Sequence, residues 1–335
     1  MNALIVSTII SFFTTFVITP YLIQFLYAAN VVGLDLHKKK KPKLPVSGGI
    51  CVAAGILAGL LSYVGIKTFV YGDQMNSINL LAVISSILIV TFVGLFDDLN
   101  VSSKMKKIKG YLDIRIGLPQ WFKSLLTLPA AIPLMVISAG VTTMGIPFIG
   151  NINFGILYPL LIIPIGVVAT SNAVNLLGGF NGSEAGMGIV YTLSLGIFAL
   201  LLGIETSAVI FLTCSASLIA FLKYNWYPAK ILPGDSLTYL LGSLVATGVI
   251  VGNMEKIGLI VMFPFIIEFF LKAGSRFKAS CLGKVGKDGK MVPPYGKRIF
   301  SWTHIVMNLG KLTEKQVAII LIAIELCFAA IPFLM

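Results

Sequence analysis

Long apolar runs alternate with short polar segments along the whole chain. Each run is close to the ~20 residues that an α-helix needs to cross the hydrocarbon core of a bilayer. This pattern predicts an all-α polytopic membrane protein that forms one integral-membrane domain over residues 1–335. The ten predicted spans are residues 3–27, 47–66, 78–96, 122–140, 154–171, 186–203, 205–222, 233–252, 256–271 and 316–334.

The composition agrees with a membrane protein. Hydrophobic residues make up 57% of the chain and charged residues 11%, whereas a soluble domain has about 25% charged residues. The two histidines and four cysteines lack the spacing of a zinc site. A metal would therefore be held by oxygen ligands, which favours Mg²⁺ or Mn²⁺.

Basic residues are confined to alternate loops. Except for Lys67 and Lys256, every Lys and Arg lies in or beside the loops between spans 1 and 2, 3 and 4, 7 and 8, and 9 and 10. The positive-inside rule places these loops in the cytosol and both termini outside. The candidate active-site loops fall on the same cytosolic face.

The first candidate is the pair of adjacent acids Asp97 and Asp98, in the segment GLFDDLN at the end of the third span. Adjacent carboxylates at a membrane edge repel each other and lose solvation, which a cation or a metal-bound pyrophosphate would relieve. The alternative is an ordinary acidic helix end that water satisfies.

The second candidate is the polar, glycine-rich segment SNAVNLLGGFNGSEAG, residues 171–186. Asn172 and Asn175 are three residues apart and so share a face at a helix end. Their amides can offer oxygen to a metal and N–H groups to a phosphate or base, and the glycines allow backbone to approach a ligand closely. The alternative is a simple Gly/Asn turn.

Two more charged residues stand at the starts of spans. Asp235, in the segment PGDS, is either the N-cap of the eighth span or a carboxylate that needs a partner at that depth. Lys123 begins the fourth span, and taken alone it suggests an interfacial lysine that extends toward the headgroups.

Three carboxylates, amide oxygens and many cations on one face suit phosphoryl transfer from a nucleoside diphosphate. The sequence has no Walker A loop, dinucleotide fingerprint or nucleophile–His–acid set, and no nucleic-acid partner is expected. A transporter or flippase is the alternative from another class, because intramembrane acids such as Glu268 and Glu325 also suit transport.

The motifs, in this order and over nearly the full length, resemble the polyprenyl-phosphate N-acetylhexosamine-1-phosphate transferases. GLDLHKKKKPKLPVSGGI resembles the family's first cytosolic loop, GLFDDLN its paired-aspartate motif, NAVNLLGGFNGSEAG its Asn–Gly loop, and YNWYPAKILPGDS the segment with its later aspartate. Asn181 stands where bacterial members usually carry an acid, and their His-rich motif is missing. The chain therefore looks most like the eukaryotic and archaeal dolichyl-phosphate N-acetylglucosamine-phosphotransferases.

The resemblance implies that a dolichyl or polyprenyl phosphate attacks the sugar-bearing phosphate of UDP-N-acetylglucosamine. The products are dolichyl-pyrophosphoryl-N-acetylglucosamine and UMP, in the first step of lipid-linked oligosaccharide assembly for N-glycosylation. It implies that Asn175 and Asp235 hold Mg²⁺ (or Mn²⁺). It further implies that Asp97 and Asp98 line the phosphate site and that Lys123 neutralises phosphate charge. The other implied substrate contacts are Asn181 beside the uracil, Asn172, Gly48, Gly49, Gly179, Arg276, Lys278 and His304.

Some expectations stay open at this stage. A modified UDP-N-acetylhexosamine donor for another surface glycan is an alternative, and a homodimer in the lipid bilayer is left open. Leu232 stands where the family usually has an aromatic residue that stacks on uracil. The arginine-rich cluster of eukaryotic members is also missing, which favours an archaeal plasma membrane over the endoplasmic reticulum.

Overall fold

The computed structural model describes residues 2–73, 76–101, 105–106, 114–115, 120–146 and 150–335. Lys104, Lys107 and Lys109, which the charge pattern places in the cytosol, lie outside these residues. The α-helices within them are α1 (Asn2–Ala28), α2 (Gly49–Phe69), α3 (Ser77–Val101), α4 (Gln120–Thr127), α5 (Ile132–Val136), α6 (Ile163–Leu176), α7 (Ser183–Leu201), α8 (Glu205–Asn225), α9 (Gly234–Val251), α10 (Glu255–Val261), α11 (Phe263–Ala273), α12 (Trp302–Asn308) and α13 (Glu314–Ala330).

Short strands in the described loops form two-stranded antiparallel ladders. Gly33 pairs with Leu44 in the first ladder, and Lys284 pairs with Val292 in the last. The strands are β1 (Val32–Leu34) with β2 (Lys43–Pro45), β3 (Met105–Lys106) with β4 (Ile114–Arg115), β5 (Thr143–Ile146) with β6 (Gly150–Asn153), and β7 (Lys284–Val285) with β8 (Met291–Val292).

Eight helical segments in the described part of the chain are long and apolar enough to cross a membrane. They contain α1, α2, α3, α6, α7, α8, α9 and α13, with α6 extended by a π-helical segment from Tyr158 and α13 by a 3₁₀ segment to Leu334. The prediction of a polytopic helical membrane protein is therefore confirmed.

The fourth and ninth predicted spans are not single long helices. A 3₁₀ segment, Leu128–Ala131, separates α4 from α5, and prolines stand at positions 129 and 133. The second break lies between α10 and α11, where Pro264 is in the first turn of α11. Proline lacks an N–H group and clashes with the carbonyl four residues earlier, so each proline favours the start of a new segment. The sequence-based count of ten is not confirmed.

Helices α8 and α9 form the centre of the bundle. The apolar stretches of these two helices are 78% and 83% buried, whereas that of α1 is 33% buried. Helix α9 packs against α2, α3 and α6, while α8 packs against α1, α2 and α7. The start of α9 is therefore surrounded by other helices rather than by lipid.

Glycines allow two helices to approach the first turn of α9 closely. A side-chain carbon at Gly94 of α3 would collide with the backbone of Asp235 and Ser236. One at Gly49 of α2 would collide with the backbone of Ser236 and Leu237. These two contacts fix the position of Asp235 relative to α2 and α3.

We expect Gly94→Ala to push α3 away from α9 and to lower the thermal unfolding midpoint, because overpacking a tight contact costs about 1–3 kcal/mol. The matched control is Gly65→Ala in α2, where an added side-chain carbon meets nothing within 4 Å. Thermal unfolding of both purified variants tests this. Equal midpoints for the two variants would contradict it.

Candidate functional site

Three acids and one lysine meet where α3 ends and where α4 and α9 begin; we call Asp97, Asp98, Lys123 and Asp235 the acid–lysine cluster. The Lys123 ammonium forms an ion pair with Asp97 Oδ2 and lies 3.0 Å from Asp235 Oδ2. Asp97 and Asp98 are buried, so the alternative of an acidic helix end in water is wrong. Lys123 is buried as well, so it does not extend to the headgroups.

Asp98 caps the first turn of α9 from a neighbouring helix. Its Oδ1 accepts a hydrogen bond from the Asp235 N–H at 2.7 Å, and its Oδ2 accepts one from the Ser236 N–H at 3.2 Å. Gly234 has a φ of 72°, and its missing side chain leaves room for the Asp98 carboxylate. The N-cap residue itself is Pro233, so the alternative in which Asp235 caps its own helix is wrong. The Asp235 carboxylate faces Lys123 instead.

Asp235 and Asn175 form the accessible side of the cluster. The Asp235 side chain is 27% exposed, whereas that of Asp97 is 1% exposed. Asn175 lies in the last turn of α6, where its Nδ2 donates to Thr238 Oγ1 at 2.9 Å and its side chain contacts Asp235. The structure therefore brings together the two residues predicted to hold a metal.

Asn172 connects α6 to the helix that carries Lys123. Its Nδ2 donates to Thr127 Oγ1 at 3.2 Å and to the Val168 carbonyl at 2.8 Å. Thr127 is the last residue of α4, one turn after Lys123. Asn172 thus acts on the cluster through α4, and its predicted contact with substrate stays a prediction.

Gly48 and Gly49 support the segment that leads into α9. The Gly48 N–H donates to the Leu232 carbonyl at 3.0 Å, and the Gly49 N–H donates to the Pro233 carbonyl at 3.1 Å. A side-chain carbon at Gly48 would collide with the ring of Phe221. The first basic loop therefore helps to hold Asp235 in place, and its contact with a nucleotide stays a prediction.

Glu184, which the sequence analysis did not single out, shapes the turn at residues 177–182 within the Asn–Gly loop. The Gly179 N–H donates to Glu184 Oε1, and the Ser183 hydroxyl donates to Glu184 Oε2, both at 2.6 Å. Asn181 is buried in this loop. The signal that could have revealed Glu184 is an acid in the first turn of a membrane-spanning helix.

The remaining predicted contacts lie in the basic loop that follows α11 and in α12. Arg276 and Lys278 are exposed there. His304 is buried, with Nδ1 accepting from the Phe300 N–H at 3.1 Å and Nε2 donating to the Ser280 carbonyl at 2.9 Å. The predicted contacts of these three residues with substrate stay predictions.

The oxygen atoms that could hold a divalent cation on the accessible side of the cluster come from Asp235 and Asn175. In the described ranges, no group of three or more His, Cys, Asp or Glu side chains is arranged to hold a metal unaided. Mg²⁺ commonly takes only one or two protein carboxylates and completes its shell with water and substrate phosphates. The donor set therefore fits Mg²⁺ that binds together with a pyrophosphate.

The fold and the site define a class: a polytopic helical membrane protein with a buried acid–lysine cluster where helix ends meet. Residues 80–253 match glycosyl transferase family 4, and the chain belongs to that family. The matched region contains the whole acid–lysine cluster and Asn175.

Relatives agree with this assignment over nearly the whole length. The chain is 36% identical to a protein of Saccharolobus solfataricus over 99% of this chain and 97% of the relative, which is named as a candidate UDP-N-acetylglucosamine–dolichyl-phosphate N-acetylglucosaminephosphotransferase. A protein of Sulfolobus acidocaldarius with the same name is 33% identical over 97% and 94% of the two chains. The UDP-N-acetylglucosamine–dolichyl-phosphate N-acetylglucosaminephosphotransferase of Dictyostelium discoideum is 26% identical over 93% and 83%. The chain is an integral-membrane phosphosugar transferase, and the predicted family is confirmed.

We expect Asp98→Asn to loosen the start of α9, because an amide group would replace one of two oxygens that accept backbone N–H groups, at a cost of about 1–2 kcal/mol. Hydrogen exchange of residues 230–240 should therefore rise. Asp97→Asn is the matched control, since it leaves the cap in place. Equal exchange in the two variants would show that Asp98 has no capping role.

Acidification should loosen the loop that His304 holds. Burial lowers the pKa of His304 to about 4, whereas a histidine in an unfolded chain has a pKa of about 6.5. Between pH 4 and pH 6.5, His304 binds a proton when the loop is detached but not when the loop is packed in place. The packed state is therefore fully stable above about pH 6.5 and loses stability as the pH falls toward 4, by on the order of 2 kcal/mol at pH 5.

Hydrogen exchange of residues 279–304 at pH 7 and pH 5, corrected for the intrinsic rate, measures this effect. His304→Gln keeps a donor and an acceptor without a titrating group and should flatten the pH dependence. Burial also lowers the pKa of His37 to about 4, and its Nε2 accepts from the Gly283 N–H in the same loop. Because His37 is present in both the unaltered protein and the His304→Gln variant, the difference between their pH dependences reports on His304 alone. Identical pH dependence in the two proteins would exclude a role of His304.

Proposed function

We propose that the protein transfers N-acetylglucosamine 1-phosphate from UDP-N-acetylglucosamine to dolichyl phosphate, or a related polyprenyl phosphate, and releases UMP. The observation that carries the proposal is Lys123 held between Asp97 and Asp235, with Asn175 beside Asp235. The names of the relatives from Saccharolobus solfataricus and Dictyostelium discoideum supply the substrates.

The bond change is a displacement at the sugar-bearing phosphorus. An oxygen of the lipid phosphate forms a bond to this phosphorus, and the bond to the bridging oxygen breaks, so UMP leaves with the electron pair. The second pKa of a phosphate monoester is about 6, so the attacking group is already largely ionised at pH 7. The site therefore has to orient two anions and reduce their repulsion, which is the main task in phosphoryl transfer.

Each member of the cluster has a separate task in this scheme. Lys123 supplies the fixed positive charge that lies against the phosphates, and the enclosed Asp97 holds that ammonium group in place. Asp98 holds the start of α9 and thereby positions Asp235. Asp235 and Asn175 would hold Mg²⁺ on the accessible side, and the ion when bound would neutralise charge on the pyrophosphate.

The topology that we infer has ten crossings, counting the broken segments α4–α5 and α10–α11, with the cluster in the cytosol and both termini outside. The first basic loop contacts both the segment that leads into α9 and the last basic loop, which supports this orientation. The Gly48 N–H donates to the Leu232 carbonyl, and the Gly283 N–H donates to His37 Nε2. The two archaeal relatives favour an archaeal plasma membrane.

The alternatives concern the donor and the acids of the bundle. A modified UDP-N-acetylhexosamine would use the same chemistry, and a panel of labelled UDP-sugars would identify the donor. Glu268, an acid that suits transport, accepts a hydrogen bond from the Trp302 N–H at 2.9 Å and so anchors the last basic loop. Glu325 is buried in α13. Family membership favours a transferase over a transporter, so neither Glu268 nor Glu325 is assigned a role in transport. The homodimer stays a prediction.

We expect Asp235→Asn and Asn175→Ala to reduce the rate of UMP release by at least about 100-fold, because removing one group that stabilises developing charge costs roughly this much. The assay combines purified protein, UDP-N-acetylglucosamine, dolichyl phosphate and Mg²⁺. Asp235→Asn should also raise the Mg²⁺ concentration that gives half-maximal rate.

The matched control for Asp235→Asn is Glu255→Gln, the same acid-to-amide change in α10, beyond the other end of α9. It should keep the rate. Full activity of both Asp235→Asn and Asn175→Ala would refute the assignment of the metal-binding side. No UMP release by the unaltered protein would refute the proposed reaction.

A further inference from the structure

A second buried polar cluster joins loops that are far apart in the sequence. Its members are Asp35, His37 and Lys38 from the loop between α1 and α2, Asn181 from the Asn–Gly loop, and Glu314 from the start of α13. Each of these except Lys38 is 4% exposed. Lys38 forms an ion pair with Glu314 and lies 3.4 Å from Asp35 Oδ2.

Asn181 makes two hydrogen bonds in this second cluster. Its backbone N–H donates to Glu314 Oε1 at 3.0 Å, and its side-chain Nδ2 donates to Asp35 Oδ2 at 3.0 Å. An ionised carboxylate only accepts hydrogen bonds, so the side-chain bond settles which atom of the amide faces Asp35. If the amide were reversed, its oxygen would face the Asp35 oxygen, and two acceptors would oppose each other.

Because the Asn181 amide is held in this orientation, its oxygen is the side-chain atom left for a ligand. Among the described residues, no hydrogen bond uses Asn181 Oδ1, and this oxygen can only accept. The ligand group that it suits is a hydrogen-bond donor, an N–H or an O–H group, and not an acceptor. Uracil carries such a donor at N3, whereas cytosine carries an acceptor at the same position. An oxygen fixed in this place therefore distinguishes the two pyrimidines.

We infer that Asp35 is a positioning residue that holds the Asn181 amide with its oxygen toward the base and so selects a uridine over a cytidine nucleotide. This inference rests on the proposed function and on the contact between Asn181 and the uracil that the family resemblance implies. The discrimination comes from the paired side chains, because an unlocked amide could rotate and offer Nδ2 to cytosine.

Asp35→Asn tests the lock with no change in side-chain shape. An asparagine at position 35 can accept from Asn181 Nδ2 or donate to Asn181 Oδ1, so both amide orientations become available. The ratio of kcat/KM for UDP- and CDP-N-acetylglucosamine, and the ratio of inhibition by UMP and CMP, should fall roughly ten- to hundredfold, the range expected for one buried hydrogen bond.

Two further variants separate the lock from general damage to the cluster. Glu314→Gln removes the other carboxylate that pairs with Lys38, but it keeps an acceptor for the Asn181 N–H and leaves the Asp35 bond in place. It should keep the preference for uridine. Asp35→Asn combined with Asn181→Asp reverses the polarity of the bond and again presents an oxygen to the base, so the preference should return.

Three outcomes would overturn the inference. The first is an unaltered protein that binds UMP and CMP equally well. The second is a folded Asp35→Asn variant that keeps the full preference. The third is a folded double variant, Asp35→Asn with Asn181→Asp, that does not regain the preference for uridine. The double variant also provides the test if Asp35→Asn alone does not fold. If the unaltered protein releases no UMP, the proposed function fails. If it does and Asp35→Asn keeps the preference, only the role of Asp35 fails.

Discussion

The carboxylates of Asp97 and Asp98 lie where water is largely excluded, and each has to find a positively charged or N–H partner inside the protein. A buried carboxylate without such a partner costs several kcal/mol. Asp98 uses the N–H groups at the start of α9, where the helix dipole is positive, and Asp97 uses Lys123. Both requirements are met only if the ends of α3, α4 and α9 come together. The pairing of charges therefore determines the geometry of the site.

Much of this site could be predicted from the sequence because its members lie at the ends of apolar runs on one predicted face. The different tasks of Asp97 and Asp98 could not. Adjacent residues on a helix point about 100° apart, so the packing of α3 decides which carboxylate faces α9 and which faces Lys123. The breaks beside Pro129 and Pro264 were also missed, because hydropathy measures the length of an apolar run and not its continuity as a helix.

The second polar cluster lies beyond local sequence reasoning for another reason. Asp35 and Asn181 are 146 residues apart, and Lys38 and Glu314 are 276 apart. No periodicity or motif connects such positions, and each acid alone looks like an ordinary charged residue beside a span. Only the folded chain shows that they share one buried network.

Asn175 and Asp235 stand on helices with very different surroundings. The apolar stretch that ends with α6 is 33% buried, whereas that of α9 is 83% buried. A bilayer of different thickness changes the tilt of helices that touch lipid, and it acts on α9 only through the helices around it. A change in membrane thickness therefore affects Asn175 and Asp235, the two side chains proposed to hold Mg²⁺, to different extents. The surrounding lipid is a mechanical part of the site as well as the source of the acceptor in the proposed reaction.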